Sequence, residues 1–405
     1  AGAWCGQNKY LSAIKNAFQN FMPLTIAGAI GVLWCNVLVN DQTGLGLFFK
    51  PIMALDFLNP AFQAVNFCTI SCITVGITLG IAQEIGVWNM GAERAGYIPG
   101  LVGLAAWLSV TNTSHMVDGA KEAFTGIAGN ELGATGLFTG MIIGVLSVEL
   151  FCFFEKQDAL KIKMPEQVPP GVARAFEVLV PATITLIITA CIGSACYNLT
   201  GLYLNDVIKN GIQGPLGAVG ATIPGVMIIY LVIMLFWLVG IHGNNMLSAV
   251  KEALFTPLAL ENVEAFNKHQ TPKNIINMYA LQMWGEFGGS GVTIGLVIAI
   301  MIFGKREDNK AIATLSLVPG LFNINETVTF GIPMVLNPIL GIPFVVAPLI
   351  TIIIGYVLTV IGFCPVACLT VPWTCPPIVF GFLACGANVM GAVTQAILIV
   401  VSTVI

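Results

Sequence analysis

Long apolar stretches recur along this sequence, and they constrain its fold more than any other feature. A helix that crosses a bilayer needs about 20 predominantly apolar residues. Only 9% of the 405 residues are charged, whereas a soluble domain carries about 25% because its surface faces water. We therefore predict an all-α polytopic membrane protein. The stretches of spanning or near-spanning length are 21–39, 65–85, 132–154, 178–196, 222–240 and 346–362, with a shorter one at 97–110.

Charge and cysteine content exclude several classes of protein. The formal net charge is −4 and no basic cluster is present, so nucleic acid is not an expected partner. Most of the eleven cysteines lie in apolar segments, where cysteine is a small packing residue. Cys68 with Cys72, and Cys364 with Cys368, are spaced four apart, but no matching histidine cluster accompanies them. We expect no metal, no cofactor and no redox chemistry.

The basic residues predict the orientation. Lys9 and Lys15 precede the first span, and the segment 155–177 carries four basic residues. The segment 111–131 instead has one lysine against three acidic residues. Because short cytoplasmic loops are enriched in lysine and arginine, the N-terminus is predicted to be cytoplasmic and 111–131 external.

Two polar intervals predict the domain organisation. The segment 156–177 contains a Pro-Pro-Gly linker at 169–171, and 203–217 alternates apolar and polar residues at helical spacing. The latter is typical of an amphipathic helix on a membrane surface. We predict an N-terminal transmembrane domain at 1–196, an amphipathic linker at 197–222 and a second transmembrane domain at 223–405.

The second half differs from the first because glycine, proline and asparagine repeatedly interrupt its apolar stretches. Unpaired backbone in hydrocarbon costs several kcal/mol per group, so broken helices survive only where they line a cavity within the protein. Transporters present such broken helices to a substrate near the bilayer midplane. A channel filter or a structural kink could explain one break, but five favour a substrate cavity. The breaks are 240–245, 285–291, 319–325, 331–337 and 371–377.

Two of these breaks place an ionisable residue beside amides: His242 in 240–245, and Glu326 directly after 319–325. A charge at membrane depth costs about 2.5–3.5 kcal/mol, so it usually faces a partner or a wet cavity. We interpret Glu326 as the acceptor for a hydroxyl of a sugar-like solute, with His242 sharing that hydroxyl or holding Glu326. Helix packing for the histidine and a lysine partner for the glutamate are the alternatives. The predicted solute-binding residues are Gly243, Asn244, Trp284, Glu286, Asn323, Asn325 and Trp373, although tryptophan also anchors at interfaces.

The remaining motifs receive structural interpretations. His115 and His269 are expected to be solvated loop histidines. The run Gly288-Gly289-Ser290-Gly291 lacks the GxxxxGK[ST] pattern of a nucleotide loop, so close helix packing or solute approach explains it better.

Several separated motifs, taken together, resemble one family. They are Asn20–Leu24, Ile162–Pro165, Val168–Phe176, Gly240–Gly243, Phe322–Glu326, Phe330–Pro338 and Pro372–Pro377. The chain resembles the membrane subunit IIC of the phosphotransferase system, in its lactose/cellobiose/chitobiose branch.

This resemblance implies a fold of about ten transmembrane helices, two re-entrant hairpins and amphipathic surface helices, in a bacterial cytoplasmic membrane. It also implies a homodimer formed by the N-terminal half, with the sugar held by the C-terminal half. A β-linked disaccharide would be phosphorylated on its 6-hydroxyl by a phosphocysteine of the separate cytosolic IIB subunit, with IIA upstream. The family histidine and glutamate fall on His242 and Glu326, which would contact that hydroxyl as the catalytic residues, with Glu326 as the candidate base or orienting acceptor during phosphoryl transfer. Thr327 replaces the proline that usually follows the glutamate, which affects the expected substrate preference.

Two other functions are weighed against this one. In an ion-coupled secondary transporter, Glu326 and His242 would carry protons, and broken helices with buried ionisable groups fit that class equally well. An intramembrane hydrolase is disfavoured, because the sequence shows no paired catalytic carboxylates, nucleophile–base set or metal motif.

Overall fold

The computed structural model describes residues 8–41, 45–115, 124–165, 167–332, 334 and 337–405. The chain is mainly helical in these ranges, and β structure within them is confined to the short antiparallel pair β1 (Ser114–His115) and β2 (Phe124–Thr125). Parts of the predicted external segment 111–131 and of the predicted break 331–337 lie outside the described residues.

The described helices are numbered α1 to α19 in chain order. They are α1 Lys9–Leu33, α2 Asn59–Asn66, α3 Ile73–Met90, α4 Ala92–Ala95, α5 Ile98–Val110, α6 Gly129–Leu132, α7 Ala134–Glu155, α8 Pro170–Thr200, α9 Leu204–Ile208, α10 Gly214–Gly220, α11 Ile223–Leu238, α12 Gly243–Asn267, α13 Met278–Gly285, α14 Ile294–Phe303, α15 Glu307–Leu321, α16 Glu326–Gly331, α17 Pro338–Val360, α18 Val379–Ala384 and α19 Val389–Val404. Short π-helices cover Trp34–Leu38, Phe67–Ser71 and Lys209–Gln213, and 3-10 helices cover Leu45–Leu47, Lys50–Leu58 and Asp158–Leu160.

Several of these helices have the length and apolarity of membrane spans. Among the described residues, four qualify: Lys9–Leu38, Ala134–Glu155, Pro170–Thr200 and Ile339–Val360. A bent pair, Lys50–Ser71 with Ile73–Met90, forms a fifth if it is a single span. The predicted helical membrane fold is confirmed, while the count of about ten spans stays a prediction. The predicted amphipathic segment is helical through α9, a π-helix and α10, and its place on a membrane surface also stays a prediction.

The described residues form two compact units, which do not follow chain order. One contains 8–23 with 69–216, and the other contains 24–68 with 217–405. One division point, between 216 and 217, falls inside the predicted linker, and the segment 24–68 packs with the C-terminal residues. The roles assigned to the two predicted domains stay predictions.

Small residues allow close helix packing in the unit of 8–23 and 69–216. Gly140 and Gly144 of α7 lie one turn apart, and a Cβ atom at Gly140 would collide with Thr78 of α3. Glycines at this spacing let two membrane helices approach until their backbones nearly touch. At one end of the same unit, the buried Glu155 carboxylate pairs with Arg94 at 2.8 Å and with Arg174 at 2.9 Å.

The unit of 24–68 and 217–405 has its core around α13. Trp284 on α13 is 1% exposed and packs against Gly355 of α17, where a larger residue would displace the indole ring. Phe255, Phe287 and Ile352 belong to the same core. The core fixes α12, α13 and the loop that follows α13, and these elements carry most of the predicted site.

Candidate functional site

His242 lies at the junction of α11 and α12, where the first predicted break occurs. Its Nδ1 atom accepts a hydrogen bond from the Asn245 backbone N–H at 3.2 Å, so the imidazole caps the N-terminus of α12. The indole ring of Trp237 lies 4.4 Å from the imidazole, centroid to centroid. Gly243 follows, and a Cβ there would collide with the Ile233 carbonyl oxygen, so only glycine allows α12 to start so close to α11. The cap and the ring contact fix the direction of the Nε2 edge.

Glu326 is the first residue of α16, and its carboxylate faces that same imidazole. The His242 Nε2 and Glu326 Oε1 atoms are 3.7 Å apart, and the two side chains are 36% and 48% exposed. A hydrogen bond requires about 2.7–3.2 Å, so these two atoms are too far apart to be hydrogen-bonded to each other. A ligand hydroxyl placed between them can contact both. Thr327 is exposed at the second position of α16, where a proline would cost no helix hydrogen bond.

Ser290 connects the two asparagine-containing segments. Its Oγ atom accepts from Asn244 Nδ2 at 3.0 Å, and its backbone carbonyl accepts from Asn325 Nδ2 at 2.7 Å. Gly289 lies in the left-handed region at φ +90°, and a Cβ there would lie 2.7 Å from that of Asn325. The glycine run is therefore required for close approach to the Glu326 segment, one of the two interpretations offered for it.

Asn323 joins two separate pieces of backbone through three hydrogen bonds. Its Oδ1 atom accepts from the Gly288 N–H at 2.6 Å, while its Nδ2 atom donates to the carbonyls of Trp373 at 2.5 Å and Cys375 at 3.1 Å. It adopts φ +61°, a conformation that asparagine tolerates better than most residues. Its amide is thus committed to backbone in this structure, and direct solute binding by Asn323 stays a prediction.

Glu286 is paired inside the same unit. Its Oε1 atom accepts from the Tyr230 hydroxyl at 2.7 Å and forms a close ion pair with Lys251. The side chains of Lys251 and Glu286 are only 6% and 14% exposed. Lys251 and Tyr230 are functional candidates that the sequence motifs do not include. A lysine nine residues after His242 on an otherwise largely apolar stretch of helix was the available signal.

The two predicted tryptophans occupy different environments. Trp284 is in the core, whereas Trp373 is 44% exposed on the segment that Asn323 holds. The structure thus brings together His242 with Glu326, and Asn244 with Asn325 through Ser290. The predicted catalytic and binding roles of all these residues stay predictions.

This geometry can be compared with known proteins. The sequence model of the family "Phosphotransferase system, EIIC" matches residues 15–348. The chain belongs to this family. The resemblance inferred from the separated motifs is therefore confirmed, and the EIIC match assigns the chain to the membrane component of a phosphotransferase system.

Three relatives illustrate the match to EIIC proteins. The oligo-beta-mannoside-specific EIIC component of Bacillus subtilis (strain 168) is 32% identical, covering 98% of this chain and 88% of the relative. The cellobiose-specific EIIC component of Lactococcus lactis subsp. lactis (strain IL1403) is 30% identical, covering 99% and 93%. The crystal structure of ChbC, the IIC component of the N,N'-diacetylchitobiose-specific phosphotransferase system, matches with a TM-score of 0.90 at 29% identity, over 99% of this chain and 93% of that one.

Proposed function

We propose that this EIIC chain imports a β-linked disaccharide and presents its 6-hydroxyl for phosphorylation by a phosphorylated IIB subunit. The relatives named for oligo-β-mannosides, cellobiose and diacetylchitobiose support this substrate class. The observation that carries the proposal is the pair of half-exposed polar edges on His242 and Glu326, 3.7 Å apart.

The proposed chemistry needs positioning and one proton acceptor. The sugar oxygen attacks the phosphorus of the IIB phosphocysteine, the P–S bond breaks, and the hydroxyl proton passes to Glu326. His242 holds the hydroxyl in line with the phosphoryl group, since phosphoryl transfer depends mainly on positioning and electrostatics. Glu326 lies on the short helix α16, and His242 is fixed by its cap on α12, so the two groups are preorganised.

We further propose that the chain works as a homodimer, with its N-terminus in the cytoplasm and with IIA upstream of IIB. The lysine and arginine pattern supports this orientation. A lactose-specific EIICB component of Streptococcus mutans serotype c (strain ATCC 700610 / UA159), 31% identical over 98% of this chain, joins IIC to IIB in one polypeptide. That fusion supports direct contact between the two components.

The proposal is tested in proteoliposomes loaded with phosphorylated IIB. We expect external cellobiose or diacetylchitobiose to appear inside as the sugar phosphate, and uptake to stop when IIB is not phosphorylated. Uptake of free sugar driven by a proton gradient, without a phosphoryl donor, would instead assign an ion-coupled transporter.

Replacing His242 with alanine should weaken disaccharide binding about tenfold, the effect of losing roughly one hydrogen bond. Because His242 also caps α12, His242→Asn is the matched variant: asparagine is a strong N-cap but lacks the Nε2 edge. We expect both variants to bind weakly in calorimetry and only the alanine variant to lose thermal stability. Full affinity in His242→Asn would remove the imidazole from the binding site.

A further inference from the structure

A polar cavity lies in the unit of 24–68 and 217–405, away from His242 and Glu326. Its volume is about 480 Å³, within the usual range of about 300–1,000 Å³ for small-molecule pockets. It is lined by the end of α1, the π-helix Trp34–Leu38, the 3-10 helix Lys50–Leu58, α2 and the residues at the end of α12.

Specific contacts fix the walls of this cavity. Asn36 on the π-helix is buried and donates to Asn267 Oδ1 at 3.1 Å, which joins the end of α1 to the end of α12. The Trp34 and Phe62 rings stack at 4.3 Å, and Gly31 allows α2 to pack closely, since a Cβ there would lie 2.5 Å from the Phe62 carbonyl oxygen. The cavity is therefore built by packed elements.

The lining has the chemistry of a site for neutral hydroxyl groups. The described residues that line it supply six side-chain amides, two carboxylates and one imidazole, and none of these residues is a lysine or an arginine. Anions are disfavoured because no cation faces them. A bound metal is disfavoured as well, since the described residues contain no cluster of three or more histidine, cysteine, aspartate or glutamate side chains. Amides both donate and accept, which matches hydroxyl groups.

The side chain of Asn59, at the start of α2, has an acceptor oxygen that no donor among the described residues uses. Its Nδ2 atom donates to Asp56 and, at 3.5 Å, to the Val39 carbonyl oxygen. Its Oδ1 atom is buried and has no hydrogen-bond partner within the described part of the chain. A buried acceptor without a donor is unfavourable, and Asn59 also lines the cavity, so a turn of its amide toward a bound hydroxyl group would supply the missing donor.

The cavity is remote from the proposed phosphorylation site. His242 caps one end of α12, and Asn267 ends it 25 residues later. At 1.5 Å per residue the helix is about 37 Å long, compared with about 30 Å for the hydrocarbon core of a bilayer. The two sites therefore lie at opposite ends of one helix.

We infer that this cavity is a second saccharide-binding site, which holds hydroxyl groups of a sugar through Asn59 and the neighbouring amides. The inference rests on the proposed function for its ligand class. With the N-terminus in the cytoplasm, α1 ends at the outer face, so this site receives sugar before translocation.

Calorimetry of the full chain in detergent, titrated with cellobiose and diacetylchitobiose, tests the inference. We expect two binding events in the unaltered protein. In Glu326→Ala we expect only the weaker of the two events to remain. In the Glu326→Ala background, Asn59→Leu should abolish the remaining event. Gln63→Leu, an exposed cavity residue, should weaken it about tenfold. Asn198→Ala, an exposed asparagine on α8, is the control and should change nothing.

Three results would overturn the second site. One is a single event that Glu326→Ala removes, which leaves the proposed function standing. Another is a remaining event that neither Asn59→Leu nor Gln63→Leu affects. The third, in a parallel titration with calcium chloride, is calcium binding that Asn59→Leu abolishes while no second sugar-binding event is seen. If Asn59→Leu does not fold, the effect of Gln63→Leu on the remaining binding event tests the second site instead. If no sugar binds the unaltered protein, the proposed substrate class and the second site both fail.

Discussion

Replacing Glu326 with glutamine is expected to abolish phosphorylation of the transported disaccharide while leaving most of its binding affinity. Glutamine keeps the shape and the hydrogen-bonding capacity of the side chain, but it cannot take the proton of the sugar hydroxyl. A positioned acid or base contributes about 10²–10⁴-fold to a rate, so the loss should be at least of that order. Formation of sugar phosphate by proteoliposomes with phosphorylated IIB measures the rate, and calorimetry measures the binding.

Glu264→Gln is the matched control for this change. Glu264 lies near the other end of α12 and forms an exposed ion pair with Lys268 at 2.6 Å. Exposed pairs of this kind contribute only about 0.3–0.5 kcal/mol, so both activity and stability should be nearly unchanged. A Glu326→Gln protein that phosphorylates sugar at the unaltered rate would remove Glu326 as the proton acceptor and leave it, at most, a binding residue.

The second large effect concerns stability. Lys251→Met should destabilise the protein by about 3–5 kcal/mol, because among the described residues it leaves the buried Glu286 carboxylate with the Tyr230 hydroxyl as its remaining side-chain partner. The ion pair connects α12 to the end of α13, so the glycine loop that contacts Asn325 should also loosen. Thermal unfolding in detergent measures the loss, and disaccharide binding should weaken at the same time.

Two further variants separate charge from packing. In the double variant Lys251→Met with Glu286→Gln, the neutral amide can still accept from Tyr230, so part of the stability should return. Lys310→Met removes an exposed pair with Glu307 at 3.3 Å and should have little effect. If Lys251→Met unfolds at the same temperature as Lys310→Met, the buried pair does not stabilise the fold.

Much of the fold follows from local patterns in the sequence. The apolar windows predicted helices that the structure shows as α1, α3, α5, α7, α8, α11 and α17. Helix breaks also lie where glycine, proline and asparagine interrupt those windows: α11 ends at Leu238 before α12 begins at Gly243, and α15 ends at Leu321 before α16 begins at Glu326. These features depend on nearby residues, so periodicity and composition are enough to predict them.

The functions of individual polar side chains could not be predicted in the same way. An asparagine in a broken helix can face a solute or can satisfy free backbone groups, and the sequence pattern is identical in both cases. Asn262, for example, donates to the carbonyls of Asn274 and Ala367 and accepts from two backbone N–H groups. The pairing of Lys251 with Glu286 joins residues 35 positions apart. Such contacts depend on tertiary packing, which no local pattern records.

The three bonds of Asn323 have a consequence for how this protein is made. Its backbone partners lie 35 residues earlier, at Gly288, and 50 and 52 residues later, at Trp373 and Cys375. When Asn323 leaves the ribosome, the two carbonyl groups that will accept its N–H bonds have not yet been synthesised. Until the chain has grown past Cys375, the amide needs water or the insertion machinery as a temporary partner. The segment carrying Glu326 therefore reaches its final arrangement only after much of the following chain has been inserted.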